Sequence, residues 1–260
     1  MAWQDRHYHR EEQRGSMGPR LTSHSVTTWL IALNALVFVL DSILAGSQRA
    51  SAIAPGEWAG YSIQDAVHRH QYWRFFTYQF VHSDFFHVLF NMIGLYFFGP
   101  LIEQWWGSRR YLAFYLLCGC CGAVLYTLLA QVPGLLGPGA SFAQLVGASG
   151  SIFGILLACA VLYPPIPMSM RTLALVFLGI AALSLIVGSR NAGGEAAHLG
   201  GAVLGYMLVK FPRSLNWADA FSTGWFEQMQ RDRRQRQAQK QRQQQQEQDA
   251  EVDRILAKVK

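Results

Sequence analysis

The chain has 260 residues, 51% of them hydrophobic and only 15% charged, with a formal net charge of +6. The charge lies at the ends: 13 Lys, Arg, Asp or Glu side chains are spread over residues 21–209, and residues 111–170 have none. As one helix that uncharged stretch would be about 90 Å long against about 30 Å of bilayer hydrocarbon, so it crosses a membrane more than once, which excludes a soluble enzyme, a secreted disulfide scaffold and a disordered chain.

Residues 1–26 are polar and carry Arg6, Arg10, Arg14 and Arg20 ahead of an apolar run at 29–44. That run lies too far from the start and lacks the small-residue cleavage site of a signal peptide, so it reads as a signal-anchor helix held by cytoplasmic arginines. Further apolar spans are expected at 85–102, 111–130, 142–163, 173–189 and 192–211. Breakers separate them at 107–110, 132–139, 163–167 and 188–194. The fold class is therefore an all-α polytopic membrane protein of six spans. A polar N-terminal segment (1–26) precedes the membrane domain (27–211), and a polar tail (212–260) follows it.

Six spans put both termini on one side, and the positive-inside rule makes that side cytoplasmic. The inner segments then hold the N-terminal arginines, Arg109, Arg110, Arg171 and the basic tail, and the outer loops hold only Arg49, Arg69, Arg74 and Arg190. The one long outer loop, residues 45–84, contains Trp58, Tyr61, Tyr72, Trp73, Phe75 and Phe76, an aromatic content suited to the headgroup interface. Cys118, Cys120, Cys121 and Cys159 sit in apolar segments, where thiols behave as small hydrophobes; no CxxC pair offers a metal or redox site, and disulfides are not implied. The Arg/Gln-rich stretch 231–248 reads as a solvated helix or linker touching anionic lipid. It lacks the interleaved aromatic residues of a nucleic-acid binder. The chain stops in mid-pattern at Lys260, so the natural protein is expected to extend further.

Polar side chains within spans are costly and are functional candidates by default. Asp41 and Asn34 in the first span read as structural, Asn34 as a bond between helices. The remaining set is His87, Asn91, Ser149 with Ser151, and His198. Counted from the outer ends of their spans, His87 lies about 3 Å deep, Asn91 and His198 about 9 Å, and Ser149 about 10 Å. All four share the outer leaflet. Gly147-Ala148-Ser149-Gly150 breaks the apolar run before a good helix, placing Ser149 at a helix start whose free amides suit a developing oxyanion. Ala197, Gly201 and Gly205 form a small-residue stripe beside His198, with Gly150 and Gly154 as the matching face, so close packing brings the imidazole to the serine. A serine needs an adjacent base, and a histidine suits that role at neutral pH. His87 and Asn91, one turn apart, share a face and complete the donors. Singly, each residue has a plain alternative: a small packing residue for Ser149, a helix-to-helix bond for either histidine.

At these residues the sequence resembles the rhomboid family of intramembrane serine proteases. Gly147-Ala148-Ser149-Gly150 falls at the nucleophile position. Gly193, Ala197, His198, Gly201 and Gly205 fit GxxxAHxxGxxxG, His87 with Asn91 fits HxxxN, and Trp73-Arg74 with Phe76-Thr77 fits the WR-containing first loop. His82 and Glu103 also fall where the family tends to have His and Glu. The resemblance covers residues 21–211. It implies a six-helix transmembrane bundle of the bacterial type, without a seventh span, and with a short, buried fourth span. Ser149 would be the nucleophile and His198 the general base, with no third carboxylate, and His87, Asn91 and the Ser149 amide would form the oxyanion hole. It implies no cofactor or metal, other proteins' transmembrane segments as substrates, and a place in the bacterial inner membrane. The fifth span and the loops near it would gate substrate access. His82 is expected to orient the outer loop or to sit where water enters, and Glu103 and Arg74 to be structural, pairing at loop ends.

Other classes fit less well. A catalytically inactive rhomboid-like protein that binds or escorts membrane clients would share the fold but normally lacks the serine or histidine. A channel or transporter using His82, His87 and His198 as metal ligands has no carboxylate at ligand depth. The absence of HExxH and of GxGD speaks against zinc and aspartyl intramembrane proteases.

Overall fold

The computed structural model describes residues 25–46, 54–137, 139–162, 168–187 and 191–221. The N-terminal arginines, Arg49, Arg190, the breaker at 163–167 and the Arg/Gln-rich tail lie outside the described residues. The chain divides into a unit ending at Asn216 and a second beginning at Trp217, of which only 217–221 are described.

Among the described residues six long helices carry the first unit: α1 (Val26–Ala45), α2 (Phe85–Trp106), α3 (Ser108–Leu129), α4 (Ser149–Leu162), α5 (Met168–Val187) and α6 (Ala192–Lys210). Among the described residues α1, α2 and α3 are long and apolar enough to cross a membrane, and α4 and α5 contribute shorter apolar stretches. The molecule is a multi-pass, all-helical membrane protein. Its outward side chains are those a lipid solvent selects, among them Leu36, Phe90, Phe97, Leu175, Leu183 and Ile186, all exposed.

Helix termini are satisfied by side chains, as they must be where water is scarce. Ser25 caps α1 by accepting from the Thr28 amide at 3.1 Å. Glu103, buried near the end of α2, caps the same terminus from across the interface. Its Oε1 accepts from the Val26 amide at 2.7 Å and from Ser108 Oγ at 2.6 Å, while Oε2 accepts from the Thr27 amide at 3.0 Å and Thr27 Oγ1 at 2.8 Å. A carboxylate at a helix N-terminus meets both the free amides and the positive end of the dipole. The turn between α2 and α3 is made by Gly107 at φ +81°, in the left-handed region that favours glycine. Asn34 donates to the Leu30 carbonyl of its own helix at 2.7 Å, and its side chain also faces the Tyr115 hydroxyl of α3, the helix-to-helix contact expected of it.

The loop between α1 and α2 is folded. Asp41 reaches from the end of α1 to accept from the Gly56 amide at 2.6 Å, at the start of a short helix, Pro55–Ala59. Buried Arg74 donates to Gln71 Oε1 at 2.6 Å, to the Glu57 carbonyl at 2.8 Å and to the Gly60 carbonyl. Arg74 and Glu103 thus each spend their hydrogen bonds at a loop end, at separate places. The loop aromatics also divide. Trp58, Tyr72, Trp73 and Phe76 are exposed, whereas Tyr61 is fully buried with Phe75 edge-on at 4.9 Å. Burial pushes the Tyr61 hydroxyl up to about 12, so it stays a neutral donor.

The fourth span is shorter than the expected 142–163. Leu145 lies in an extended segment and exchanges both backbone bonds with Tyr61, at 3.0 and 2.7 Å, and the helix begins only at Ser149. At 14 residues α4 is about 21 Å long, too short for the bilayer alone. It is enclosed by α2, α3, α5 and α6.

Packing of α6 sets the geometry of the centre. A Cβ at Gly201 would fall on the Gly150 carbonyl of α4, and one at Gly205 would lie 2.7 Å from Gly154 Cα. A Cβ at Gly200 would sit 2.7 Å from the Cys121 carbonyl of α3. The small-residue stripe therefore lets three backbones meet, as glycine-rich membrane interfaces do.

Candidate active site

Ser149 opens α4 because Gly147, at φ +114°, turns the extended segment into the helix and only glycine takes that conformation without strain. The Gly147 amide donates to the Tyr78 carbonyl at 3.0 Å, and Tyr78 in turn donates its hydroxyl to the Gly119 carbonyl at 2.7 Å. The serine is thus held from the outer loop and from α3.

The glycine contact between α4 and α6 brings His198 Nε2 to 2.7 Å from Ser149 Oγ. Phe153, one turn along α4, lies flat on the imidazole with ring centroids 4.2 Å apart and planes 4° from parallel. On the far side of the ring, Nδ1 is 3.0 Å from Glu195 Oε2, and Glu195 Oε1 is 3.3 Å from Asn191 Nδ2. Ser151, grouped with Ser149 by sequence, points elsewhere: its buried hydroxyl lies 2.7 Å from both Gln79 Oε1 and the Tyr115 carbonyl.

A cavity of about 920 Å³ opens onto this pair, and His87 and Asn91 line it with Ser149 and His198. Asp84 caps α2 by accepting from the His87 amide at 2.9 Å, which fixes the start of that helix. His87 Nδ1 is 3.0 Å from Ser83 Oγ, and its Nε2 faces the nucleophile loop, 2.5 Å from where a Cβ at Gly147 would lie. Asn91 is buried and gives one amide proton to the His87 carbonyl at 2.9 Å, which leaves a second Nδ2 proton. The structure therefore gathers all four site residues expected from sequence around one cavity.

His82 is buried beside them, its ring edge-on to His87 at 5.0 Å. Burial, and then the neighbouring His87, push its pKa down to about 4, so it is neutral at physiological pH. Among the described residues no group of three or more His, Cys, Asp or Glu is placed to hold a metal ion.

Glu195 was missed by the sequence reading, which took the resemblance to imply no third carboxylate. Its signal was present: it stands three residues before His198, a spacing that puts two side chains on one helix face.

The fold and site define a class: a multi-pass helical membrane protein with a serine and a histidine in hydrogen-bond contact at a cavity between its helices. A Rhomboid domain model matches residues 69–213, more than half of the chain, and the chain belongs to the rhomboid family, whose members are mostly serine proteases. It is 35% identical over 145 residues to RHOMBOID-like protein 1 of Arabidopsis thaliana, an alignment covering 55% of this chain and 35% of that protein. Against Rhomboid protease GluP of Bacillus subtilis (strain 168) the identity is 28% over 207 residues, covering 76% of this chain and 37% of the relative. Inactive RHOMBOID-like protein 8 of Arabidopsis thaliana is 33% identical over 89 residues, covering 34% and 25% respectively. The chain spans less than half the length of each of these relatives.

Proposed function

We propose that this protein is an intramembrane serine endopeptidase that hydrolyses peptide bonds in or near the transmembrane segments of other membrane proteins. The observation that carries this reading is the 2.7 Å contact between Ser149 Oγ and His198 Nε2 inside the helix bundle. As Ser149 Oγ bonds to the scissile carbonyl carbon, its proton passes to His198 Nε2. The oxyanion forms at the start of α4, within reach of the Ser149 amide and facing the donors of His87 and Asn91. His198 then protonates the departing amine as the C–N bond breaks. Water, deprotonated by the same nitrogen, hydrolyses the acyl ester and restores the serine. No cofactor or metal takes part.

The alternative is a catalytically inactive rhomboid-like protein that binds membrane clients or serves their quality control; one relative is named as inactive. The intact serine and histidine in contact favour the active form. The test is purified protein in detergent or lipid with a helical transmembrane substrate and no added metal or nucleotide. A cut near the outer end of the substrate helix is expected, and binding without any cut would make the inactive reading the correct one. Asn91→Ala is expected to lower kcat by about 10²-fold, the typical cost of one lost oxyanion donor, with the remaining donors holding activity above background. Wild-type turnover in that variant would remove Asn91 from the oxyanion site.

The same reading assigns the membrane domain to residues 27–211, flanked by polar segments 1–26 and 212–260, with both termini cytoplasmic in a bacterial inner membrane. The distribution of arginine supports it. A reporter fused after Lys260 is expected to be active only in its cytoplasmic form, and a periplasmic signal would reverse the topology.

A further inference from the structure

We propose that Glu195 is a positioning residue for His198, so that the site is a relay of Ser149, His198 and Glu195 rather than a pair; this rests on the proteolytic reading above. The imidazole bridges the other two side chains through its two nitrogens, with Ser149 Oγ 2.7 Å from Nε2 and Glu195 Oε2 3.0 Å from Nδ1. Glu195 and His198 are each 16% exposed, so water competes little for the bond. Glu195 is itself held: its amide donates to the Asn191 carbonyl at 3.0 Å, and its other carboxylate oxygen is 3.3 Å from Asn191 Nδ2. Asn191 is seated against Gly194, where a Cβ would come within 2.5 Å of Asn191 Oδ1.

A neutral imidazole has two tautomers, and only the one with its proton on Nδ1 leaves Nε2 free to accept from a serine hydroxyl. A carboxylate on Nδ1 selects that tautomer and fixes the ring about its Cβ–Cγ bond, while the flat contact of Phe153 fixes the ring plane. When Nε2 takes the Ser149 proton, the Nδ1–H bond becomes charge-assisted and holds the imidazolium. The Nδ1 proton stays on Nδ1 throughout, and the proton that reaches the leaving amine is the one on Nε2. Two titratable side chains act on His198: Glu195 from its own helix and His87 from α2, while α4 presents Ser149 and the Phe153 ring. Glu195 also stands in the first turn of α6, where an acid suits the helix dipole, so a purely structural role is the competing account.

The two accounts differ in kinetics. In the full chain purified in detergent, Glu195→Gln is expected to lower kcat on a transmembrane substrate by about 10²- to 10⁴-fold, with KM within about twofold. The upper figure is the known cost of turning a triad carboxylate into an amide. Glu195→Asp should recover part of kcat. A structural role would instead lower Tm and leave kcat per folded enzyme unchanged, and wild-type kcat in Glu195→Gln overturns the proposal. Nitrogen-15 histidine spectra of Ser149→Ala give a readout independent of turnover and of any Glu195 variant. A proton on Nδ1 of His198 is expected, and a proton on Nε2 alone overturns the proposal. Wild-type protein whose cleavage survives Ser149→Ala would sink the proteolytic reading, while the tautomer of His198 would still decide its pairing with Glu195.

Discussion

Replacing Ser149 by Ala is expected to reduce cleavage of a transmembrane substrate to background, a loss of about 10⁴- to 10⁶-fold in kcat, and His198→Ala to do the same. The two losses should not add. Each removes the same step, transfer of the serine proton as the new C–O bond forms, so the double variant should be no slower than either single one. Both variants should remain folded, because Ser149 is a small residue at a helix start and the packing of α6 on α4 is carried by Gly201 and Gly205 rather than by the imidazole. Ser151→Ala supplies the control. It deletes a buried hydroxyl on Gln79 and Tyr115, with a stability cost of about 1 kcal/mol, and should leave turnover within about tenfold of wild type. Initial rates with a fluorogenic helical substrate, normalised to folded protein, measure all four. Undiminished cleavage in Ser149→Ala would end the mechanism.

Gly201→Ala is expected to be the most damaging single methyl group in the described bundle. The added Cβ lands on the Gly150 carbonyl, a backbone atom that no rotamer change can move aside, so α4 and α6 must separate. Overpacking of a well-packed core costs about 1–3 kcal/mol where side chains absorb it, and the upper end or beyond is expected where backbone must. The separation also stretches the 2.7 Å contact between Ser149 and His198, so kcat should fall further than the loss of folded protein explains. Two other glycines set the scale. Gly179→Ala on α5 meets nothing within 4 Å and should be neutral to slightly stabilising, and Gly94→Ala on α2 meets only the Ile152 side chain at 3.1 Å. Denaturant titration in mixed micelles ranks the three. A Gly201→Ala protein as stable and as active as Gly179→Ala would contradict the close approach of α4 and α6.

Much of the membrane architecture was legible because lipid enforces a simple rule: charge is excluded, so helices show as charge-free runs and the few polar side chains left inside stand out. That rule led to His87, Asn91, Ser149 and His198. It failed where burial is apolar but not helical. Residues 142–148 are as hydrophobic as a span, yet they are not helical: Phe142 and Ala143 close turns on Gly139 and Leu145 pairs with Tyr61, and a hydropathy pattern does not distinguish such a segment from a helix. The loop between α1 and α2 was legible only in part. Trp58, Tyr72, Trp73 and Phe76 are exposed, whereas Tyr61 and Tyr78 are buried, Tyr61 bonded to the Thr127 hydroxyl and Tyr78 donating to the Gly119 carbonyl, partners distant in sequence that no local pattern encodes. Glu195 escaped for a third reason. A carboxylate in the first turn of a span looks like a boundary residue, although its spacing of three residues already puts it on the helix face of His198.

The 14-residue helix that carries Ser149 has a consequence for biosynthesis. A segment of that length does not anchor itself in a bilayer; it is retained by the neighbours that enclose it, and the last of these, α6, is synthesised later. His198 arrives on that same helix, 49 residues after the serine. A nascent chain that has emerged only as far as α5 therefore has Ser149 unsettled and His198 not yet in the bilayer. On the proteolytic reading proposed above, the closing of the bundle by α6 and the assembly of the reactive centre are one event, so an unfinished chain is expected to be chemically silent among the membrane proteins being inserted beside it.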